Sequence, residues 1–235
     1  MSFARELTFP PLFRGEAVGT AFDPFAKAVS RAGTGSDPGL IVYAQDEDAA
    51  RMAVVLAPET ELSAAIGVVL AVSLGFSDSL GALAPPEVAV HFTWPDRYKV
   101  NGALCGKMRV ASASSDPENV PDWLVVGIDI PIKLGRDAEP GKTPDQTALI
   151  EEGCADVTAP ALIESWSRHM LYWINRFMDE GFSPVHKNWC GKCEEIGGEM
   201  ADGTFLGLDE KGGMLLRHND KTTVVPLTSV LGESL

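Results

Sequence analysis

Few residues in this chain have the type and spacing to do chemistry. Asp96 and Asp129, if the fold brings them together, would share a proton or bind a cation such as Mg²⁺. Held apart, they are turn and cap residues, as Asp23 is in front of Pro24. Cys190-Gly191-Lys192-Cys193 has dithiol spacing, and with His186 it offers three zinc ligands. Structural zinc takes four, however, and no second such pair exists; Cys105 or Cys154 would complete the set only by accident of folding. A redox pair opens a helix directly after a strand, which lowers the thiol pKa, whereas this one follows a helix and a Phe182-Ser183-Pro184 turn. The reading taken is structural cysteines, with zinc and redox roles left open. His91, His169 and His218 have no partner pattern.

The elements that must position these groups run from residue 88 to residue 132. Residues 88–93 are β-branched and half-alternating, and Trp94-Pro95-Asp96 breaks the run. Asn101-Gly102 is a strong hairpin signal, because both positions tolerate positive φ. Residues 103–110 return as a strand in which Gly106 leaves room for close approach to the backbone. Residues 123–130 are almost continuously apolar, as in a strand buried on both faces. Three neighbouring strands whose ends carry Trp94, Gly106 and Asp129 make a pocket floor.

This arrangement resembles the catalytic core of the biotin/lipoate protein ligase family. Trp94-Pro95-Asp96 stands at its Trp-Pro-Asn-Asp motif, Val100-Asn101-Gly102-Ala103-Leu104-Cys105-Gly106 at the hairpin ending in Lys-Leu-Ala-Gly, and Val126-Gly127-Ile128-Asp129-Ile130 at its Gly-Ile-Gly-Ile-Asn strand. Gln45 matches the glutamine that introduces the family's Gly/Arg-rich loop, and Asp23 falls near its Ser-Thr-Asn. The resemblance implies an α+β fold: a mixed β-sheet packed with helices (the class II synthetase/biotin protein ligase-like core) over residues 1–182, and a small SH3-like β-barrel over 183–235. It also implies ligand contacts at Gln45, Trp94, Pro95, Asp96, Leu104, Cys105, Gly106, Gly127 and Asp129.

The family's reaction joins a small carboxylic acid to ATP and passes the acyl group from the adenylate to a carrier lysine. That chemistry needs cations where negative charge concentrates. Here Gln45 is followed by the acidic stub Asp46-Glu47-Asp48, and Ala103 takes the place of the hairpin lysine. Lys107 is a weak catalytic stand-in: it shares a strand face with Ala103, but four residues of strand are about 13 Å. Two functions follow. One is a divergent ligase attaching biotin, lipoate or octanoate to a carrier-protein lysine, with ATP and Mg as cofactors if it is active. The other is a non-catalytic module that binds a small acid or a protein and has lost the adenylation loop and lysine. An acyl donor already activated as a thioester would allow an ATP-free transfer.

Composition narrows the partners. A formal net charge of −14 argues against nucleic acid, whose phosphates it would repel. No signal peptide is visible, and the apolar run over 64–76 is shorter than the roughly 20 residues a bilayer span needs. Four cysteines among 235 residues do not make a disulfide framework, so a cytoplasmic, reduced protein is expected; a homodimer is left open. Elsewhere the pattern predicts helices at 24–33, 59–80 and from 158 to about 181, and strands at 39–45 and 52–56. It also predicts a long loop at 135–160, a lid or a tether, with a short helix over 145–151. Short C-terminal strands follow at 204–208, 213–216 and 222–227.

Overall fold

The computed structural model describes residues 6–35, 38–135 and 145–233. Seven strands form one mixed sheet: β1 (Arg14–Val18), β2 (Leu40–Ala44), β3 (Ala49–Leu56), β4 (Val90–Thr93), β5 (Arg97–Val100), β6 (Ala103–Ser112) and β7 (Leu124–Pro131). Their spatial order is β1-β2-β3-β7-β6-β5-β4. Only β1 and β2 run parallel, and helix α1 (Pro24–Gly33) makes the crossover such a pair requires. The Asn101-Gly102 turn joins β5 to β6, with Asn101 at φ 49° and Gly102 at φ 91°.

The two faces of the sheet are dressed differently. One is covered by α3 (Val68–Leu83) and α4 (Ala159–Glu180), which bury Ile41, Met52, Val54, Met108, Val126 and Ile128 in the main core. Gly75 lets these two helices cross closely, since a Cβ there would lie 2.7 Å from the Met170 Cα. On the other face, α1 places Phe25, Ala28 and Ala32 over Leu40, Val42, Ala53, Val55 and Val125. At 10 residues, or about 15 Å, α1 covers only the β2–β3–β7 half. The β6–β5–β4 half of that face carries no helix among the described residues.

Several expectations need correcting. The helix expected over 59–80 is two pieces, α2 (Leu62–Ala65) and α3, broken near Gly67, where a Cβ would lie 2.9 Å from the Phe182 ring. The apolar stretch is also longer than the 64–76 run: Leu62–Leu83 has the length and hydropathy to cross a membrane, but 78% of its most apolar 18 residues are buried inside the protein, as in a core helix. Phe182-Ser183-Pro184 is not a turn but the first turn of α5 (Phe182–Cys190), a helix entered through Gly181 at φ 77°. Residues 145–151 are not helical. Gln146 bridges Leu104, while the Leu149 and Ile150 amides donate to Pro131 and Ile132, so backbone groups left open at the ends of β6 and β7 are met there. Part of the expected lid, 136–144, lies outside the described residues.

The C-terminal region is a four-stranded antiparallel sheet of β8 (Glu199–Met200), β9 (Gly203–Leu208), β10 (Met214–His218) and β11 (Lys221–Val225). It stands where the SH3-like barrel was expected; in its order, β11-β10-β9-β8, the two outer strands do not pair with each other. Phe205, Leu208, Met214 and Leu216 turn inward from it into the main core.

Candidate functional site

Strand register builds the site. On the face that carries α1, Arg51 of β3 lies opposite Asp129 of β7, Asp129 opposite Lys107 of β6, and Lys107 opposite Arg97 of β5, the last two on the half without a helix. Thr93 of β4 lies opposite Arg97. One file of side chains therefore crosses five strands, reading Arg51, Asp129, Lys107, Arg97, Thr93. Two residues along, Ala53, Gly127 and Arg109 form the next file. Arg109 stacks on the Phe25 ring at 4.5 Å and forks onto Asp23, the N-cap of α1, at 2.8 and 2.5 Å.

Arg51 ties together the two turns that flank this face. Its Nη2 donates to the Thr20 carbonyl at 2.7 Å and to Asp46 Oδ2 at 2.9 Å. The acidic stub is pinned as well: the Asp48 carbonyl accepts from the Ile132 and Lys133 amides, and its carboxylate lies 3.3 Å from Lys133 Nζ. The turn after Gln45 is thus a short, anchored connection whose aspartates are paired with cations.

The cations leave their mark on the carboxylates. The forked hydrogen bonds from Arg109 hold Asp23 below the usual carboxylate range, against a smaller opposing effect of burial. Burial raises Asp129, while Arg51, Arg109 and Lys107 pull it down and Asp23 adds to the rise. The charged neighbours of Asp129 are therefore three cations and Asp23. The proton-sharing or cation-binding pair considered for Asp96 and Asp129 is replaced by this mixed cluster, because Asp96 sits at the β4–β5 corner. Among the described residues no group of three or more His, Cys, Asp or Glu side chains is arranged to hold a metal.

The expected ligand contacts divide. Lys107 and Asp129 face the open side, and Gln45 is half-buried beside the pinned turn. Gly127 lies under α1, where a Cβ would meet the Phe25 ring at 2.7 Å. Gly106, at φ 116°, makes room for the sheet itself: a Cβ would lie 2.5 Å from the Asp129 carbonyl oxygen. Cys105 points into the α3/α4 core, where burial pushes its thiol up to about 12. Leu104 is half-buried and bridged to Gln146. Trp94 is buried, its indole N–H donating to the Gly212 carbonyl at 3.0 Å and its amide to Glu195 at 3.2 Å. With Pro95 and Asp96 it forms the corner on which the C-terminal sheet is clamped. A groove lined by Glu16, Val18, Phe22, Asp23 and Lys27 opens beside β1; it meets the charged file only through Asp23, and Glu16 is already matched by Lys27 and Arg31.

Sequence reasoning missed Arg51, Arg97 and Arg109. The signal was faint, because each is a single cation inside a strand and only the register gathers them. Cys190 closes α5 and Cys193 follows it; burial raises both thiols, Cys193 to about 11, which is opposite to the shift a redox dithiol needs. His186 Nε2 is 3.1 Å from the Leu208 carbonyl and 3.9 Å from the Cys190 sulfur.

A family model described as the biotin/lipoate A/B protein ligase family matches residues 9–191. The chain belongs to this family. A second model, a domain of unknown function, matches residues 194–233. Among curated proteins, the biotin–[acetyl-CoA-carboxylase] ligase of Paracoccus denitrificans is 26% identical over 194 residues, covering 75% of this chain and 77% of that one. The crystal structure of a biotin protein ligase-like protein of unknown function from Silicibacter sp. TM1040 is 49% identical, with a TM-score of 0.90 over 96% of this chain and 99% of that one. Biotin protein ligase from Aquifex aeolicus, in complex with biotin and ATP, shares the fold at 17% identity, with a TM-score of 0.67 over 89% and 95% of the two chains. As a member of the ligase family, this chain departs from its motifs at the loop after Gln45 and at Ala103.

Proposed function

We propose that the protein attaches a small carboxylic acid of the biotin, lipoate or octanoate kind to a carrier-protein lysine, on the open sheet face around Asp129. The observation that carries this reading is the set of four cations, Arg51, Arg97, Lys107 and Arg109, on one face of the sheet, with Arg97 and Lys107 on the half of it that α1 leaves bare. Activating a carboxylate with a nucleotide concentrates negative charge on the carboxylate and the α-phosphate, and fixed cations stabilise that charge as it develops. Strand residues supply here what the shortened loop and Ala103 do not. That weakens the reading of a pure binding module.

Arg51 and Arg109 are each committed to an aspartate and act as scaffolding for the two flanking turns. Lys107 is exposed and has no ion-pair partner among the described residues, which suits it to contact substrate. ATP and Mg²⁺ are the proposed co-substrates, a reduced cytoplasmic setting suits the four free thiols, and an acyl- or biotinyl-carrier domain is the proposed acceptor. The test is pyrophosphate release from ATP and Mg²⁺ with biotin, lipoate or octanoate, followed by mass spectrometry of a carrier domain. Acid-dependent release and a matching mass increase are expected. If neither occurs while the acid still binds, ligase activity is refuted. Transfer from an acyl thioester is the second reading, favoured by the pinned 46–48 turn, and is tested in the same assay without nucleotide.

A further inference from the structure

Arg97 and Lys107 sit directly opposite each other on neighbouring antiparallel strands. Side chains so placed have Cβ atoms about 5 Å apart, and like charges in that position repel. The surrounding sheet does little to relieve this. Lys107 has Asp129 across its other edge, but that carboxylate is shared with Arg51 and Arg109. Arg97 reaches the carboxylate of its own neighbour Asp96 at 3.8 Å, through a side chain 50% exposed. At the end of the file, the Thr93 hydroxyl is buried without a hydrogen-bond partner among the described residues. Two cations paired in register beside a β-bulge, with an unsatisfied hydroxyl at the end of the file, make a place on this acidic chain where an anion is favoured.

We propose that Lys107 and Arg97, with Thr93 behind them, form a phosphate-ester subsite for the compound that activates the acyl group. A carboxylate carries one charge and is matched by one cation, whereas a terminal phosphate carries about −1.5 to −2 near neutral pH and offers three acceptor oxygens. The Lys107 ammonium and the Arg97 guanidinium, both on long side chains, close on it from adjacent strands. Arg97 turns from Asp96 to the anion, and Thr93, opposite Arg97 in register, offers its hydroxyl to a phosphate oxygen. This rests on the reading of the open face as the acyl-transfer site and goes beyond it by dividing that face: phosphate over β5 and β6, acyl carbonyl toward Asp129 and Arg51. Two activated forms share this chemistry: a nucleoside triphosphate, from which the acid displaces pyrophosphate to give the acyl-adenylate that then loses AMP to the acceptor lysine, and a coenzyme A-type thioester, which loses the thiol.

The experiment is isothermal titration of the full chain with ATP–Mg²⁺ and, separately, with coenzyme A, at low and moderate salt. Lys107→Gln, Arg97→Gln and the remote control Lys221→Gln are titrated in parallel, with folding checked by circular dichroism. At least one of the two compounds binds; each site variant weakens it about tenfold or more, and the control does not. ATP binding identifies a nucleotide donor, and coenzyme A binding a thioester donor. Binding of neither compound, or binding that ignores both site variants, overturns the subsite. Biotin, lipoate and octanoate are titrated as well: acid binding with no phosphate compound bound sinks the subsite alone. Phosphate binding that depends on Lys107 and Arg97, with no acyl transfer in any assay, sinks the proposed function and leaves the subsite standing.

Discussion

Asp23 does two jobs, and two substitutions separate them. As the N-cap of α1 it accepts a hydrogen bond from the Phe25 amide at 3.0 Å, and as an ion it receives the fork of Arg109. Losing an N-cap costs about 1 kcal/mol. The ion pair is bidentate, but its side chains are 30% and 40% exposed, so solvent screening limits it to about 0.5–1 kcal/mol. Asparagine caps as well as aspartate but carries no charge, so Asp23→Asn loses only the second contribution. Asp23→Ala loses both, about 1.5–2 kcal/mol. At roughly 2–4 °C per kcal/mol for a chain this size, the melting temperature falls by about 1–4 °C and 3–8 °C respectively. The pH dependence adds an independent check. Asp23 is held below its ordinary value of 3.8, so its ionic contribution is present above pH 3.8 and is lost as pH falls through the lower, folded-state value. The stability gap between wild type and Asp23→Asn, measured by urea unfolding across pH, should close at that acid end. Equal losses in the two variants, or a gap that persists unchanged in acid, would refute the division between cap and charge.

Trp94→Phe keeps the ring and leaves the Gly212 carbonyl without its donor; about 1–2 kcal/mol is lost, with faster amide exchange in β9 and β10 by mass spectrometry. Gly106→Ala forces a side chain onto φ 116° and against the Asp129 carbonyl, so a loss of about 3 kcal/mol or more, or failure to fold, is expected in thermal unfolding. Asp129 is raised above 3.8, the reverse of Asp23: its protonation favours the fold, so wild type gains stability relative to Asp129→Asn as pH falls through the folded value towards 3.8. In a thiol-modification time course at pH 8, the half-buried Cys190 should react before Cys105, whose thiol is pushed up to about 12; a fast Cys105 would contradict its burial.

The strands and the hairpin were legible because local rules govern them. Asn101-Gly102 demands positive φ, and the run from Leu124 to Ile130 alternates between two buried faces. Asp23-Pro24 announced α1, and Thr158 with Pro160 announced α4. What was illegible was long-range. Nothing near Trp94 says that its indole meets a carbonyl at Gly212, and nothing near Gly106 or Gly127 says whether the missing side chain makes room for a ligand, a strand or Phe25. Phe182-Ser183-Pro184 misled for another reason. Proline is tolerated in a first helical turn, where its missing N–H has no intrahelical partner to lose, so it opened α5 instead of making a turn.

The cations make the same point about function. Read along the chain, Arg51, Arg97, Lys107 and Arg109 are isolated, and the one segment where the family gathers arginines is acidic, so the sequence argues for a site that has lost its charge. Read across the sheet, three of them fall in a single file and the fourth one file away, because an antiparallel register places residues from separate strands side by side. A flexible arginine loop has to be ordered when ligand binds, and that entropy is subtracted from affinity. Cations on strands have their backbone ordered beforehand, so only side chains remain to be fixed, but the strands cannot fold over what they hold. The acidic turn fits this arrangement: Asp46 and Asp48 pair with Arg51 and Lys133, anchoring the rim of the face. Under the proposed function, such a site exchanges closure for a fixed backbone, and the acyl group stays open to solvent on the side from which a carrier-protein lysine must approach.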